Sequence, residues 1–471
     1  MKALILTIAV FLVFMHANAQ QNLVMFFMHD DPHTNLLNPA IQAPCKLMVG
    51  IPVLSSTQLN FNSTGFSYHD LGKTKIDFAN LKKKSHIVDF LSFELHLNLI
   101  SLGYKWKQYY FNFNLSEKVE TKIFYPGSLI ELFDEGNYPG RGKKVKFGSL
   151  GANLIHYREY AFGVSKEMDE GFFLGGKLKL LFGKANVQTR RAQSFLYTDA
   201  ETYNLELETN LRINASAPIE VTKDATGEVT DFGAGNINPV SYLLNRRNWG
   251  LAADLGGIYP MNEDISLEAS LLDFGFIRWA KDAHEFTQHG NVKFAGVNTS
   301  PDFEPGDYLN DIIDSANNQL KIFESGDPYF IMLNPKLNLG ASYKINENLF
   351  AGALWRTEFY PRRPITAFSL SIHTRRLKYL NASLAYNIVN ASYNAVGAGL
   401  TTTLGAFQMH LVSDNLTAIF KPAKTRNVNL RFGFNLNFGC GKKAKAKKWG
   451  KADTGCGCGW VKDSNRAYKK R

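Results

Sequence analysis

Beyond residue 20 the chain has no uninterrupted apolar run of the roughly 18 residues that a membrane-crossing helix needs, which excludes helical spans. Cysteine is scarce. Cys45, Cys440, Cys456 and Cys458 are too few in 471 residues for a disulfide-stapled framework. No Gly-x-Ser-x-Gly elbow and no His-Glu-x-x-His helix occurs, so neither a hydrolase nucleophile nor a zinc-protease site is legible. The nearest phosphate-loop pattern is Gly171 with Gly176 and Lys177. Leu178 stands where a magnesium-binding hydroxyl belongs, and an alternating strand follows where a helix should. The expectation is a non-enzyme without cofactor or metal.

What is present begins with an export signal. Lys2, the apolar run Ala3 to Met15 and the small residues Ala17-Asn18-Ala19 give a signal peptide over 1–19, with Gln20 starting the mature chain. No cysteine follows to carry a lipid anchor. Charge is uneven. Residues 441–471 hold 11 Lys and Arg against 2 Asp, a net of +9, leaving about +2 of the total +11 for the rest.

The rest alternates. Val428, Leu430, Phe432, Phe434, Leu436 and Phe438 interleave with Asn429, Arg431, Gly433, Asn435 and Asn437. A period of two puts each set on one face of a strand. The same pattern recurs at 337–345, 380–388, 203–214 and 93–99. Strands with one apolar and one polar face have average hydropathy, matching the mean of −0.19. The connections also alternate, long at 414–427, 280–334 and 214–248, short at 405, 375–377, 346–348 and 260–264. Outer-membrane barrels have short periplasmic turns and long outer loops, so the last strand runs inward and the C-terminus is expected in the periplasm. The fold class is therefore all-β, a transmembrane antiparallel barrel of 14 strands, or 16 if 47–60 and 192–198 each add one. It occupies 46–439, between a plug-like segment over 20–45 and a basic tail over 440–471.

The plug segment carries Asn38-Pro39-Ala40, where Pro39 lacks an N–H and suits a turn better than a ladder. An Asn-Pro-Ala near the mature N-terminus resembles the long-chain fatty-acid transporters and the related type IX secretion barrel, in which that segment sits in the lumen. Further blocks are Leu37 to Ala40 with Cys45, Gly50-Ile51-Pro52, Gly250 to Tyr259, Ser270 to Trp279 and Asn429 to Gly433. In this order they resemble a Bacteroidetes outer-membrane family of unknown function. That resemblance implies fold and compartment; it supplies no activity.

Among candidate sites, His29, Asp30, Asp31 and His33 place four metal-ligand types within five residues. Pro32 interrupts any element that would align them, so a solvated polar start to the plug is the reading. Lys177, Lys179, Lys336, Lys344 and Arg431 are assigned to the lumen, with Glu94, Asp254, Glu206 and Glu268 on the same side. Ion pairs bracing a filled barrel weigh more than anion selectivity. Gly397 and Gly399 are read as easing strand curvature. An oxidising compartment invites disulfides among Cys45, Cys440, Cys456 and Cys458. The last three also suggest a metal clip, which lacks a fourth cysteine and any histidine after His410. Lys442, Lys443, Lys445, Lys447 and Lys448, with Trp449 and Trp460, suit an anionic lipid surface or another envelope protein. Export makes nucleic acid implausible. Two functions stay open: a passive channel or transporter for apolar small molecules, and a structural component that binds partners through loops and tail.

Overall fold

The computed structural model describes residues 22–440, except 72–75, 137–141, 169–170, 203, 236–237, 295–319, 361–363, 376, 378 and 390–392. The signal, Tyr203 and the tail with Cys456, Cys458 and Lys442, Lys443, Lys445, Lys447 and Lys448 lie outside the described residues.

The chain enters the barrel at β1 (Cys45–Gly50) and β2 (Thr57–Ser63), then runs through β3 (Val88–Trp106), β4 (Tyr109–Pro126), β5 (Lys144–Lys146), β6 (Gly151–Glu167) and β7 (Phe173–Thr198). It continues as β8 (Leu205–Ser216), β9 (Ile219–Lys223), β10 (Val229–Ala234), β11 (Trp249–Pro260), β12 (Ile265–Trp279), β13 (Ala283–Phe294), β14 (Ile322–Ser325) and β15 (Tyr329–Met332). It ends with β16 (Lys336–Lys344), β17 (Leu349–Glu358), β18 (Ile365–Thr374), β19 (Leu380–Val389), β20 (Tyr393–Leu404), β21 (Phe407–Ser413) and β22 (Asn427–Cys440). No helix among the described residues is long and apolar enough to cross a membrane.

Pairing is antiparallel throughout, and the ring closes with 14 strand positions. β1 and β2 share one of them, because both pair with β22 on one side and β3 on the other. Between Gly50, opposite Asn435, and Thr57, opposite Phe432, the excursion 51–56 pushes Val53 and Leu54 outward. Pro52 has no N–H for a ladder there, but Ile51 N donates to Phe434 O and Phe434 N to Leu54 O, so the seam holds across the bulge. Residues 47–60 therefore make one broken strand. Residues 192–198 prolong β7 and add none.

The expected alternation of connections is observed. Short turns join β3 to β4, β11 to β12, β16 to β17 and β20 to β21, at the end where Cys45 and Cys440 also lie; the loops after β2, β4, β7, β12 and β21 crowd the opposite rim. That rim carries an arm. Upper β7 pairs with β8, β8 with β13 and β13 with β14, while β15 returns to the end of β12. The alternation at 203–214 thus belongs to the arm and not to the barrel wall. Glu206 sits there, beside Asn291 and Lys293, and not in the lumen as its parity suggested.

Along β22 the faces fall as the sequence requires: Asn429, Arg431, Asn435 and Asn437 are buried inside, while the interleaved Leu430, Phe432, Phe434 and Leu436 look out. On the other walls Leu178, Phe162, Leu255, Leu370 and Leu384 are more than half exposed on the outer surface. A water-soluble barrel would reverse that arrangement.

Candidate functional site: a plugged lumen

Residues 22–44 pack inside the barrel. Leu23, Val24, Met25, Phe26 and Phe27 lose all solvent exposure, forming an apolar cluster with Leu37 and with Leu354, Ala367, Ala385 and Val412 of the wall. Two short 3-10 turns, Met25–Phe27 and Pro32–Leu36, shape the segment; the second starts at Pro32, whose missing N–H costs nothing at a helix start, and Asp31 caps it by accepting from His33 N at 2.8 Å.

The wall makes room with glycine. A Cβ on Gly397 or Gly399 would collide with Val24 or Met28, and one on Gly352 with Phe27. Gly397 and Gly399 therefore admit the plug, a more specific duty than easing curvature. Hydrogen bonds fix the segment's height. Asp414 accepts from Asn22 N at 2.6 Å and Val24 N at 2.9 Å; the Leu37 carbonyl accepts from Ser270 Oγ at 2.7 Å. Asn38 caps its own turn by accepting from Ala40 N at 3.1 Å, and the Pro39 carbonyl lies against Gly175 of β7. Asn38-Pro39-Ala40 thus lies inside the barrel, against β7.

Of the lysines assigned to the lumen, Lys177, Lys179 and Lys344 are buried and Lys336 is half-buried. Lys177 Nζ donates to Asn35 O at 2.7 Å, binding wall to plug. Lys179 reaches Asp254 at 2.7 Å and Asp273 at 2.6 Å; Lys336 reaches the other Asp273 oxygen at 2.8 Å; Lys118, which sequence reading missed, pairs with Glu159 at 2.8 Å. Arg431 donates to Gln58 Oε1 and touches Met25 Sδ at 3.2 Å. Lys344 is buried near the short-turn end, where its backbone N–H donates to Asp264 O. The result is a braced interior that leaves, among the described residues, a polar cavity of about 70 Å³. Charges this deep are tolerated because they are paired and hydrogen-bonded.

The polar start of the plug is not solvated. His29, Asp31 and His33 are at most 3 % exposed, and only Asp30 is half-buried. His29 Nε2 meets Glu268 Oε2 at 3.1 Å, while Asp31 Oδ2 lies 2.7 Å from Nδ1 of His410 on β21. His410 was absent from the sequence candidates; its inward parity between Met409 and Leu411 was the only local signal. Of the cysteines, Cys45 and Cys440 form a disulfide across the closing seam.

On the outer surface, opposite Asn38 to Ala40, strands β1, β3, β4, β6, β7 and β11 bound a groove of about 800 Å³. Leu47, Tyr104, Phe111, Phe162, Leu178 and Leu255 line it, giving an almost wholly apolar surface.

These features define a plugged, outward-apolar β-barrel. The chain belongs to a family of unknown function, DUF5723, whose model matches residues 39–414. No curated protein matches it. Among solved structures it is similar to a deltaS2 mutant of the TodX monoaromatic hydrocarbon channel, at 10% identity over 86% of this chain and 94% of that one, with a TM-score of 0.41. It is similar also to the Pseudomonas putida toluene transporter TodX, at 11% identity, 85% and 92% coverage and a TM-score of 0.40. A Pseudomonas aeruginosa FadL homologue follows at 11% identity, 87% and 94% coverage and 0.35.

Proposed function

We propose that the chain is an outer-membrane channel, shut at rest by its N-terminal segment, that handles apolar small molecules. The outward apolar surface supports the membrane setting: Leu178, Leu370 and Leu384 cannot be covered from within, and lipid removes their cost. The observation that carries the substrate class is the apolar groove of about 800 Å³, large enough for a small ligand and backed by the plug motif through a wall that includes Gly175 and Gly176. Among the described residues the plugged lumen leaves a cavity of about 70 Å³ lined by paired charges, which suits no sizeable polar solute. Short turns mark the periplasmic end, so the tail from 441 leaves Cys440 on that side, where its lysines meet anionic lipid or an acidic envelope protein.

The test is reconstitution in liposomes and planar bilayers. The protein should pass little ion current yet speed uptake of an apolar aromatic dye, and Leu178→Arg in the groove should reduce dye uptake without opening an ion path. Large steady conductance from the native chain, or dye uptake equal to empty liposomes, overturns the reading. A structural role is the second reading, favoured by the arm of β8, β13 and β14, which extends the sheet beyond the barrel rim and presents exposed Phe323. Deleting the arm should then abolish capture of an envelope protein while leaving dye uptake intact.

A further inference from the structure

We propose that Asp31, His33 and His410 form a binding site for a zinc-class divalent metal ion that pins the plug to the barrel wall. The three residues offer one carboxylate and two imidazoles whose ligand atoms all lie within 4.8 Å of one another, and all three side chains are fully buried. Borderline cations such as zinc favour this donor set, with three protein ligands and one position left for water.

The distances are near those an ion would impose. Tetrahedral zinc, with bonds of about 2.1 Å, holds its ligand atoms roughly 3.4 Å apart. His33 Nδ1 stands 3.4 Å from Asp31 Oδ1, His410 Nδ1 stands 2.7 Å from Asp31 Oδ2, and the three ligand atoms all lie within 4.8 Å of one another, so side-chain adjustment without backbone movement brings them to one ion. The groups are also poorly used without an ion. Asp31 Oδ2 and both His410 ring nitrogens lack an aligned hydrogen-bond partner despite their proximity, as does His33 Nε2. Buried polar atoms in that condition cost free energy, and a shared cation satisfies several together.

The surroundings fit. His33 Nδ1 also faces the Asn435 amide at 3.2 Å, a single contact that turns aside when this nitrogen takes an ion, so one hydrogen bond is exchanged for the metal bond. Half-buried Asp30, held by Gln408 Nε2 on its carbonyl at 3.0 Å, adjoins the cluster on its solvent side. The fixed charge near enough to oppose a cation is Arg431, which packs on Met25 and Gln58.

Origin of the ligands gives the site its consequence. Asp31 and His33 belong to the plug, whereas His410 projects from β21 of the wall. An ion bound by all three ties plug to wall, and withdrawing it removes that tie while the apolar cluster around Phe26 and Phe27 and the bonds to Asp414 remain. The inference concerns how the lumen is held shut and is independent of what crosses it.

The experiment uses the full chain in detergent, with Cys456 and Cys458 replaced by serine so that the tail offers no thiolates, stripped with chelator and titrated with Co²⁺ and then Zn²⁺. One equivalent should bind with the visible bands of tetrahedral cobalt, Zn²⁺ should displace it, and binding should slow hydrogen exchange over residues 25–37. His33→Gln and His410→Gln should each weaken affinity by about tenfold to a hundredfold or more. His69→Ala, at an exposed position, should leave it unchanged. Because His33 lies in the plug, its variant tests the site even where His410→Gln fails to fold, and heat-dependent gel mobility identifies folded barrel. Absence of micromolar binding by the folded parent, or binding unchanged in His33→Gln, overturns the proposal and leaves a hydrogen-bonded latch.

Discussion

The Pro39 carbonyl of the plug lies so close to Gly175 of β7 that the wall has no space for even one more carbon there. Gly256 of β11 meets Asn38 and Pro39 in the same way. Gly175→Val should therefore expel the Asn38 to Ala40 turn while the ladder of β7 with β6 and β11 persists. Planar-bilayer recording should show ion current that the native chain lacks, with heat-dependent gel mobility retained. Unchanged conductance would mean that the plug accommodates the side chain.

Asp273 bridges Lys179 and Lys336, so removing its charge should hurt more than removing its shape. Its φ of +57° is a conformation that asparagine tolerates, which makes Asp273→Asn a clean test of charge. The substitution should cost about 3–5 kcal/mol in urea unfolding followed by gel mobility, because two buried ammonium groups lose a partner. Adding Lys179→Met should recover part of that loss. A cost below about 1 kcal/mol would show that water reaches the network.

Leu178 is 73% exposed on the outer wall, so its environment is whatever surrounds the barrel. In a bilayer Leu178→Arg should cost about 2–4 kcal/mol if the position lies near mid-membrane. Phe133→Arg, in a helix of an outer loop, should stay within about 0.5 kcal/mol. Equal costs at both sites would argue against a lipid-covered wall.

Cys45 and Cys440 should resist alkylation in the unreduced chain, and proteolysis without reductant should release their two peptides as one. Cys45→Ser should lower stability by about 2–4 kcal/mol yet keep the barrel, since Leu47 to Gly50 still pair with β22. Free Cys45 in the native protein would contradict the bridge.

Much of this architecture was legible from residue order alone. Strands walled by lipid on one side and plug on the other must alternate, and β22 does so from Val428 to Phe438 because each face meets a different solvent. Parity of turn lengths followed for the same reason. The alternation at 203–214 misled because a two-faced strand in an arm obeys the same period as one in a wall. The site was less visible. His33 and His410 are 377 positions apart in sequence, and Asn38 meets Gly256 only after the barrel has closed, so no local pattern records either meeting. Burial of His29, Asp31 and His33 was misjudged because Pro32 reads as a break, whereas it starts a helical turn that is enclosed on every side.

The bond between Cys45 and Cys440 turns the wall into a covalent hoop, with both free ends of the chain hanging from one knot. Residues 22–44 leave the knot into the lumen. A pull on the chain beyond Cys440 is therefore delivered at Cys45, the root of the plug, without first straining any strand of the wall. The hoop works as a fulcrum that separates the load on the tail from the integrity of the barrel.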